Sequence, residues 1–113
     1  MAMAIAYYTA QGCVVCPPLT DNARYDLVID RDGKLFRVQC KCTSYWADGT
    51  PVVALRTNGG NRSGIGMTRK ISADECDELF VHVLGQCSYV FPPDVFDGKT
   101  AMRLGRVYEQ YKI

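Results

Sequence analysis

At 113 residues, with 48% hydrophobic and 22% charged residues, the chain is long enough to bury a real core and sized for one domain. A formal net charge of +1 does not by itself announce a nucleic-acid binder. No run of about 18 apolar residues occurs, so no membrane span is expected.

Residues 2–11 favour a helix, with Ala, Met3 and Ile5 as good formers and Gly12 as its stop. This apolar start lacks a basic n-region and a cleavage site, so it is not read as a signal peptide. Residues 13–16 suit a short strand ended by Pro17-Pro18. A loop over 19–22 then leads into a hairpin over 25–41, with its turn at Asp32-Gly33. On the second hairpin strand Phe36, Val38, Cys40 and Cys42 share one face, and Arg37, Gln39, Lys41 and Thr43 the other. That alternation predicts a half-buried strand running to about Tyr45. Asp48-Gly49 marks a turn, 51–56 a strand, and the Gly- and Asn-rich stretch 57–68 a mobile loop. Ser72-Ala73-Asp74-Glu75 resembles a capping box and predicts a short helical turn. Residues 79–84 and 87–91 read as strands joined at Gly85-Gln86, and Pro92-Pro93 stops the second. A further edge strand fits 100–104. The order predicts an α/β (α+β) fold, a mixed β-sheet with an N-terminal helix packed on it.

Six cysteines without a secretory signal point to a reduced, cytoplasmic protein. Cys13, Cys16, Cys40 and Cys42 could form a four-thiolate zinc site. Cys40 and Cys42 lie on the hydrophobic face, however, and free Cys behaves as a small buried hydrophobe. His82 alternates with Val81 and Val83 and reads as a structural residue. Tyr45 and Trp46 read as core or sheet-edge residues.

The hairpin brings Asp26 toward Gln39 and Lys41. An anion, an amide oxygen and an ammonium together can hold a divalent ion and an attacking water. Charge is also segregated. Residues 56–70 carry Arg56, Arg62, Arg69 and Lys70 with no acid, whereas 71–98 carry only acids among their charged groups. Residues 99–113 are basic again, through Lys99, Arg103, Arg106 and Lys112. Such segregation can present a basic face to phosphates.

This hairpin resembles the PD-(D/E)xK nuclease superfamily, in the group I intron-associated branch related to Holliday junction resolvases. In that pattern an Asp opens one strand and an acid-x-Lys triplet follows on the next. Asp26, Gln39 and Lys41 take those places, and the intron-associated branch uses such a Gln. The resemblance implies a restriction-endonuclease-like core. It also implies Mg²⁺ or Mn²⁺ held by Asp26, the Gln39 amide oxygen and the Cys40 backbone carbonyl, with Lys41 serving the phosphate or the water. The pattern adds a Glu from the first helix, but the first acid here is Asp21. The site is therefore expected to work with one acid fewer, or to draw that Glu from upstream of Met1.

Three functions follow from the resemblance. The first is a metal-dependent DNA endonuclease on branched or structured DNA. The second is a sequence-specific intron-type homing endonuclease. The third is a non-catalytic DNA-binding or assembly protein. Arg56, Arg62, Arg69, Lys70 and Arg103 are the expected DNA contacts. A homodimer or tetramer is expected, because two strands must be cut.

Overall fold

In the computed structural model, residues 1–58 and 68–113 are described. Helix α1 (Ala2–Ala10) is followed by strands β1 (Val14–Cys16), β2 (Leu27–Arg31) and β3 (Lys34–Thr43). Then come β4 (Trp46–Ala47), β5 (Thr50–Ala54), β6 (Thr57–Asn58) and β7 (Thr68–Arg69). The remainder comprises β8 (Glu78–Val83), β9 (Cys87–Phe91), α2 (Pro93–Phe96), β10 (Ala101–Arg103) and a 3₁₀ helix over Arg106–Tyr111.

Helix α1 ends as its glycine requires. Gly12 sits at φ +88°, in the region where a Cβ is strained. The Gly12 N–H donates to the Thr9 carbonyl and the Cys13 N–H to the Tyr8 carbonyl. This pair of bonds satisfies carbonyls that the last turn leaves open. The β2–β3 turn follows the same logic, with Asp32 at φ 55° and Gly33 at φ 87°. The Gly33 N–H also donates to the Asp30 carboxylate at 2.9 Å. Asp32 is thus a turn residue, whereas Asp30 lies in β2 and braces the turn with its carboxylate.

The main sheet runs β1-β2-β3-β8-β9. All its neighbours are antiparallel except β3 and β8, which pair in parallel from Val38↔Glu78 to Thr43↔Val83. A second sheet, β10-β5-β4, forms another layer. Strand alternation assigns the two faces of the main sheet. On one face Leu27, Ile29, Val38 and Phe80 pack against Ala4 and Tyr8 of α1. On the other, Leu79, Val81 and Val83 pack against Val53 and Leu55 of the second layer and its continuation, and against Met102 and Leu104.

At Val38 and Gln39 both faces of β3 are covered, which corrects the half-buried strand expected from its alternation, whereas Cys42, on the face expected to be apolar and buried, is exposed. Gln39 and Thr43 are each only 8% exposed. The Thr43 hydroxyl donates to the Val52 carbonyl and so ties the two layers together. Strand β3 ends at Thr43 rather than near Tyr45.

Two ion-pair clusters anchor the sheet. On the helix face the Tyr8 hydroxyl donates to Glu78 at 2.8 Å, and Arg31 reaches the same carboxylate at 2.7 Å. Burial, reinforced by Glu78, pushes the Tyr8 phenol up, so it stays a donor at every physiological pH. On the opposite face Arg37 grips Asp77 through Nε and Nη2, each at 3.1 Å, and donates to the Asp74 carbonyl. The Asp77 N–H also donates to the Arg37 carbonyl, and the Arg37 N–H to Asp77 Oδ2, each at 2.7 Å, just ahead of the Val38↔Glu78 pair.

These hydrogen bonds from Arg37 hold the Asp77 carboxyl below the ordinary carboxylate range. The stability this contributes is present above the unfolded-state value of about 3.9 and is lost as pH falls through the lower folded value. An acid titration of Tm should therefore be flatter in Asp77→Asn than in the parent below about pH 4. Identical curves would show that the clamp carries no pH-dependent stability.

The capping-box segment forms a hydrogen-bonded turn rather than a helix, with the Asp74 N–H on Ser72 Oγ at 3.1 Å. Pro92-Pro93 ends β9, and Pro93 also starts α2, where its fixed φ suits a first helical position.

Candidate active site

Asp26 immediately precedes β2, and its N–H donates to the Val38 carbonyl at 2.9 Å. This continues the register Leu27↔Val38 by one residue and sets Asp26 opposite Gln39. Alternation puts both side chains on the sheet face away from α1. There Asp26 Oδ2 accepts from Gln39 Nε2 at 2.9 Å and from the Cys40 backbone N–H at 2.8 Å. Neither Arg24 nor Arg37 pairs with Asp26, and Arg37 is taken by Asp77.

The structure thus brings Asp26, Gln39 and Cys40 together in a single contact. One detail departs from the expected arrangement: the nitrogen of the Gln39 amide faces Asp26, not the oxygen. An amide opposite a carboxylate presents its donor end to it. Asp26 Oδ1 takes no hydrogen bond from the described residues.

Lys41 follows on the same face. Its Nζ lies 3.4 Å from the Arg56 carbonyl, two residues past the end of β5. The β6–β7 ladder pairs Thr57 with Arg69. Extending that register by one step sets Arg56 beside Lys70, and both are exposed. Cations therefore gather at the Lys41 side of the site. Arg103 lies on a different element, β10, with its guanidinium 3.3 Å from the Ala47 carbonyl. Arg62 and most of the loop expected to be mobile lie outside the described residues, whereas its two ends, at 57–58 and 68–69, are paired strands.

The donors available to an ion here are oxygens: a carboxylate, an amide once rotated, and a peptide carbonyl. Hard divalent ions such as Mg²⁺ take such ligands. The thiols are different. Burial, with a smaller push from Asp26, raises Cys40 to about 12. Cys76, beneath the same face, is raised to about 11, chiefly by burial. Burial thus disfavours the thiolate form at both residues. Among the described residues, no group of three or more His, Cys, Asp or Glu side chains is placed to hold a metal ion. The Asp26 site contains one acid, and α1 contains none.

Two features escaped sequence reasoning. Glu78 and Asp77 sit in an acidic stretch whose members found specific arginine partners from β2 and β3. The exposure of Tyr45 and Trp46, at 65% and 44%, was also missed, although Trp46 does lie on the edge strand of the second sheet.

The family model for PD-(D/E)XK endonucleases matches residues 1–111. The chain belongs to the PD-(D/E)XK endonuclease family. Its helix-backed mixed sheet is the restriction-endonuclease-like fold of that family. Protein 5.3 of Escherichia phage T7 is 28% identical over 108 residues, covering 92% of this chain and 84% of that protein. The structure of a bacterial homing endonuclease, I-Ssp6803I, superposes with a TM-score of 0.77 at 28% identity. That match covers 96% of this chain and 80% of the homing endonuclease. Among the described residues of this endonuclease, no helix is long and apolar enough to cross a membrane.

Proposed function

We propose that the protein is a divalent-metal-dependent endonuclease that cuts duplex DNA site-specifically, as a homing enzyme does. The observation that carries this reading is the 2.9 Å contact of Asp26 with Gln39, on the same sheet face as Lys41. The 28% identity to a bacterial homing endonuclease over 96% of the chain supports the substrate class.

In this reading Asp26 is the charged ligand, through Oδ1. Gln39, with its amide turned, would add its oxygen, and the Cys40 carbonyl would complete the protein's share. A bound Mg²⁺ or Mn²⁺ would polarise the scissile phosphate and acidify a water. Lys41 balances the charge that develops on the phosphate and orients the attacking water. Arg56, Arg69, Lys70 and, from outside the described residues, Arg62 hold backbone phosphates, which position DNA without reading its sequence. A homodimer or tetramer would supply one site per strand.

The deciding experiment incubates the protein with Mg²⁺, Mn²⁺ or EDTA and a panel of linear duplex, single-stranded and four-way-junction DNA. Ion-dependent cutting of duplex at discrete positions is the expected result. Preferential cutting of the junction would replace the homing reading with a resolvase. Binding without cutting under any ion would make this a non-catalytic relative.

Gln39→Glu tests the ligand set directly. A second carboxylate beside Asp26 repels it when no ion is present and adds a charged ligand when one is. Mg²⁺ binding should tighten roughly tenfold by calorimetry, and Tm in EDTA should fall. A Tm unchanged in EDTA, together with unchanged ion affinity, would remove Gln39 from the site.

A further inference from the structure

Between the end of β3 and the second sheet lies a groove that the cleavage chemistry does not use. Its volume is about 460 Å³, and it is lined by residues 42–45 on one side and by Val52, Ala54 and Ala101 on the other. Ala54 and Ala101 are register partners, both exposed, so the floor is small and flat. The Tyr45 ring forms a wall, is 65% exposed, and stacks on no other ring among the described residues. Its backbone is nevertheless held at both ends. The Tyr45 N–H donates to Thr43 Oγ1 at 3.1 Å, and its carbonyl accepts from the Val52 N–H at 2.9 Å. An exposed tyrosine ring on a fixed backbone offers a broad face for stacking with only two side-chain torsions to order.

Cations stand at both ends of the groove. Arg103 is the register partner of Val52 at one end. At the other, Arg56 follows Ala54 and its carbonyl meets Lys41 Nζ. Val52 and Arg56 are separated by roughly 13 Å of extended chain. Asp48, in the β4–β5 turn, is the acid on this layer. An apolar slot between cations matches a flat base with phosphates on either side.

We propose that this groove takes one unstacked nucleotide of the DNA substrate, with its base against Tyr45 and its flanking phosphates near Arg103 and the Lys41–Arg56 end. A base inside a duplex has both faces covered by its neighbours, so the occupant must be unpaired or extruded. The inference rests on the DNA-cleavage reading above. It adds that DNA is locally opened a short distance from the cut.

The test uses short oligothymidylate as the probe and a blunt duplex of equal length as the comparison. Trp46, adjacent to Tyr45, is the sole tryptophan, so its emission reports on this corner without a label. Oligothymidylate should change that emission saturably. Base–aromatic stacking predicts that Tyr45→Ala weakens oligothymidylate binding by about five- to 100-fold. Tyr45→Phe, which keeps the ring, should stay within a few-fold of the parent. Ala54→Leu fills the exposed floor without touching the Tyr45 mount and should reproduce the loss. Duplex affinity should change less in every variant.

Equal binding by Tyr45→Ala and the parent would overturn the proposal. So would equal losses for single-stranded and duplex DNA, which would mark a structural role. Metal-dependent cleavage that persists without these oligothymidylate effects removes the groove and leaves the nuclease. Intact groove effects in a protein that cuts nothing remove the nuclease and leave the groove.

Discussion

DNA cleavage is expected to fall by about 10²–10⁴-fold in Lys41→Ala, with DNA affinity largely kept, because its charge serves the transition state more than the ground state. Asp26→Ala should abolish cleavage altogether, since it removes the site's one acidic side chain. Asp26 also has a structural duty. Its Oδ2 accepts from both Gln39 and the Cys40 N–H, so alanine strands two donors under the second layer. Leaving a buried donor unmade costs about 1–3 kcal/mol. Asp26→Asn separates the two duties, because its amide oxygen still accepts the Cys40 N–H while the charge is gone. Cleavage should be lost in both Asp26 variants, and Tm should drop clearly only in the alanine one. Gel-based cleavage in Mg²⁺ and a thermal melt provide the two readouts. Full activity in either Asp26 variant would reject this site whatever its geometry.

The largest effect on stability is expected at Phe80. It is 2% exposed at the centre of β8, with the Tyr7 and Tyr8 rings 5.9 and 6.0 Å away. Phe80→Ala removes the surface on which α1 rests, and such truncations cost about 3–5 kcal/mol. Against a typical total of about 5–15 kcal/mol, that is a large share. Tm should fall by more than about 10 °C. Leu84→Ala is the matched control. Leu84 follows the same strand but is 53% exposed, and its loss should stay within about 0.5 kcal/mol. Equal melts for the two variants would mean that the helix is not held through Phe80.

Local chemistry made much of this legible from the sequence. Asp32-Gly33 announced the β2–β3 turn, Gly12 the end of α1, and strand alternation set Asp26, Gln39 and Lys41 on one face. The rest depended on partners distant in sequence. Gln39 looks like a solvent-facing strand residue until residues 50–54 and 101–103 form a layer above it. The parallel match of β3 with β8 leaves no turn signal, since no short connection joins the two strands. Pro93 reads as a breaker and is also a helix start, two outcomes that the same fixed φ allows. The 3₁₀ helix over Arg106–Tyr111 is held by tertiary contact, with the Phe91 ring 5.5 Å from Tyr108 and 5.4 Å from Tyr111. The facing of the Gln39 amide is a matter of local charge, which residue types alone do not reveal.

The parallel β3–β8 ladder also orders events in time. The β2–β3 hairpin closes through a tight turn, and such hairpins form in about 1–10 μs. The ladder joins Val38 to Glu78, far along the chain, and contacts of such separation form late. During synthesis, Asp26 and Gln39 can meet as soon as their hairpin leaves the ribosome. The Arg37–Asp77 clamp and the full width of the sheet must wait for the C-terminal half. A nascent chain therefore joins Asp26 to Gln39 before it has the frame around them, and the surroundings of that pair are complete only once residues 78–83 have been made.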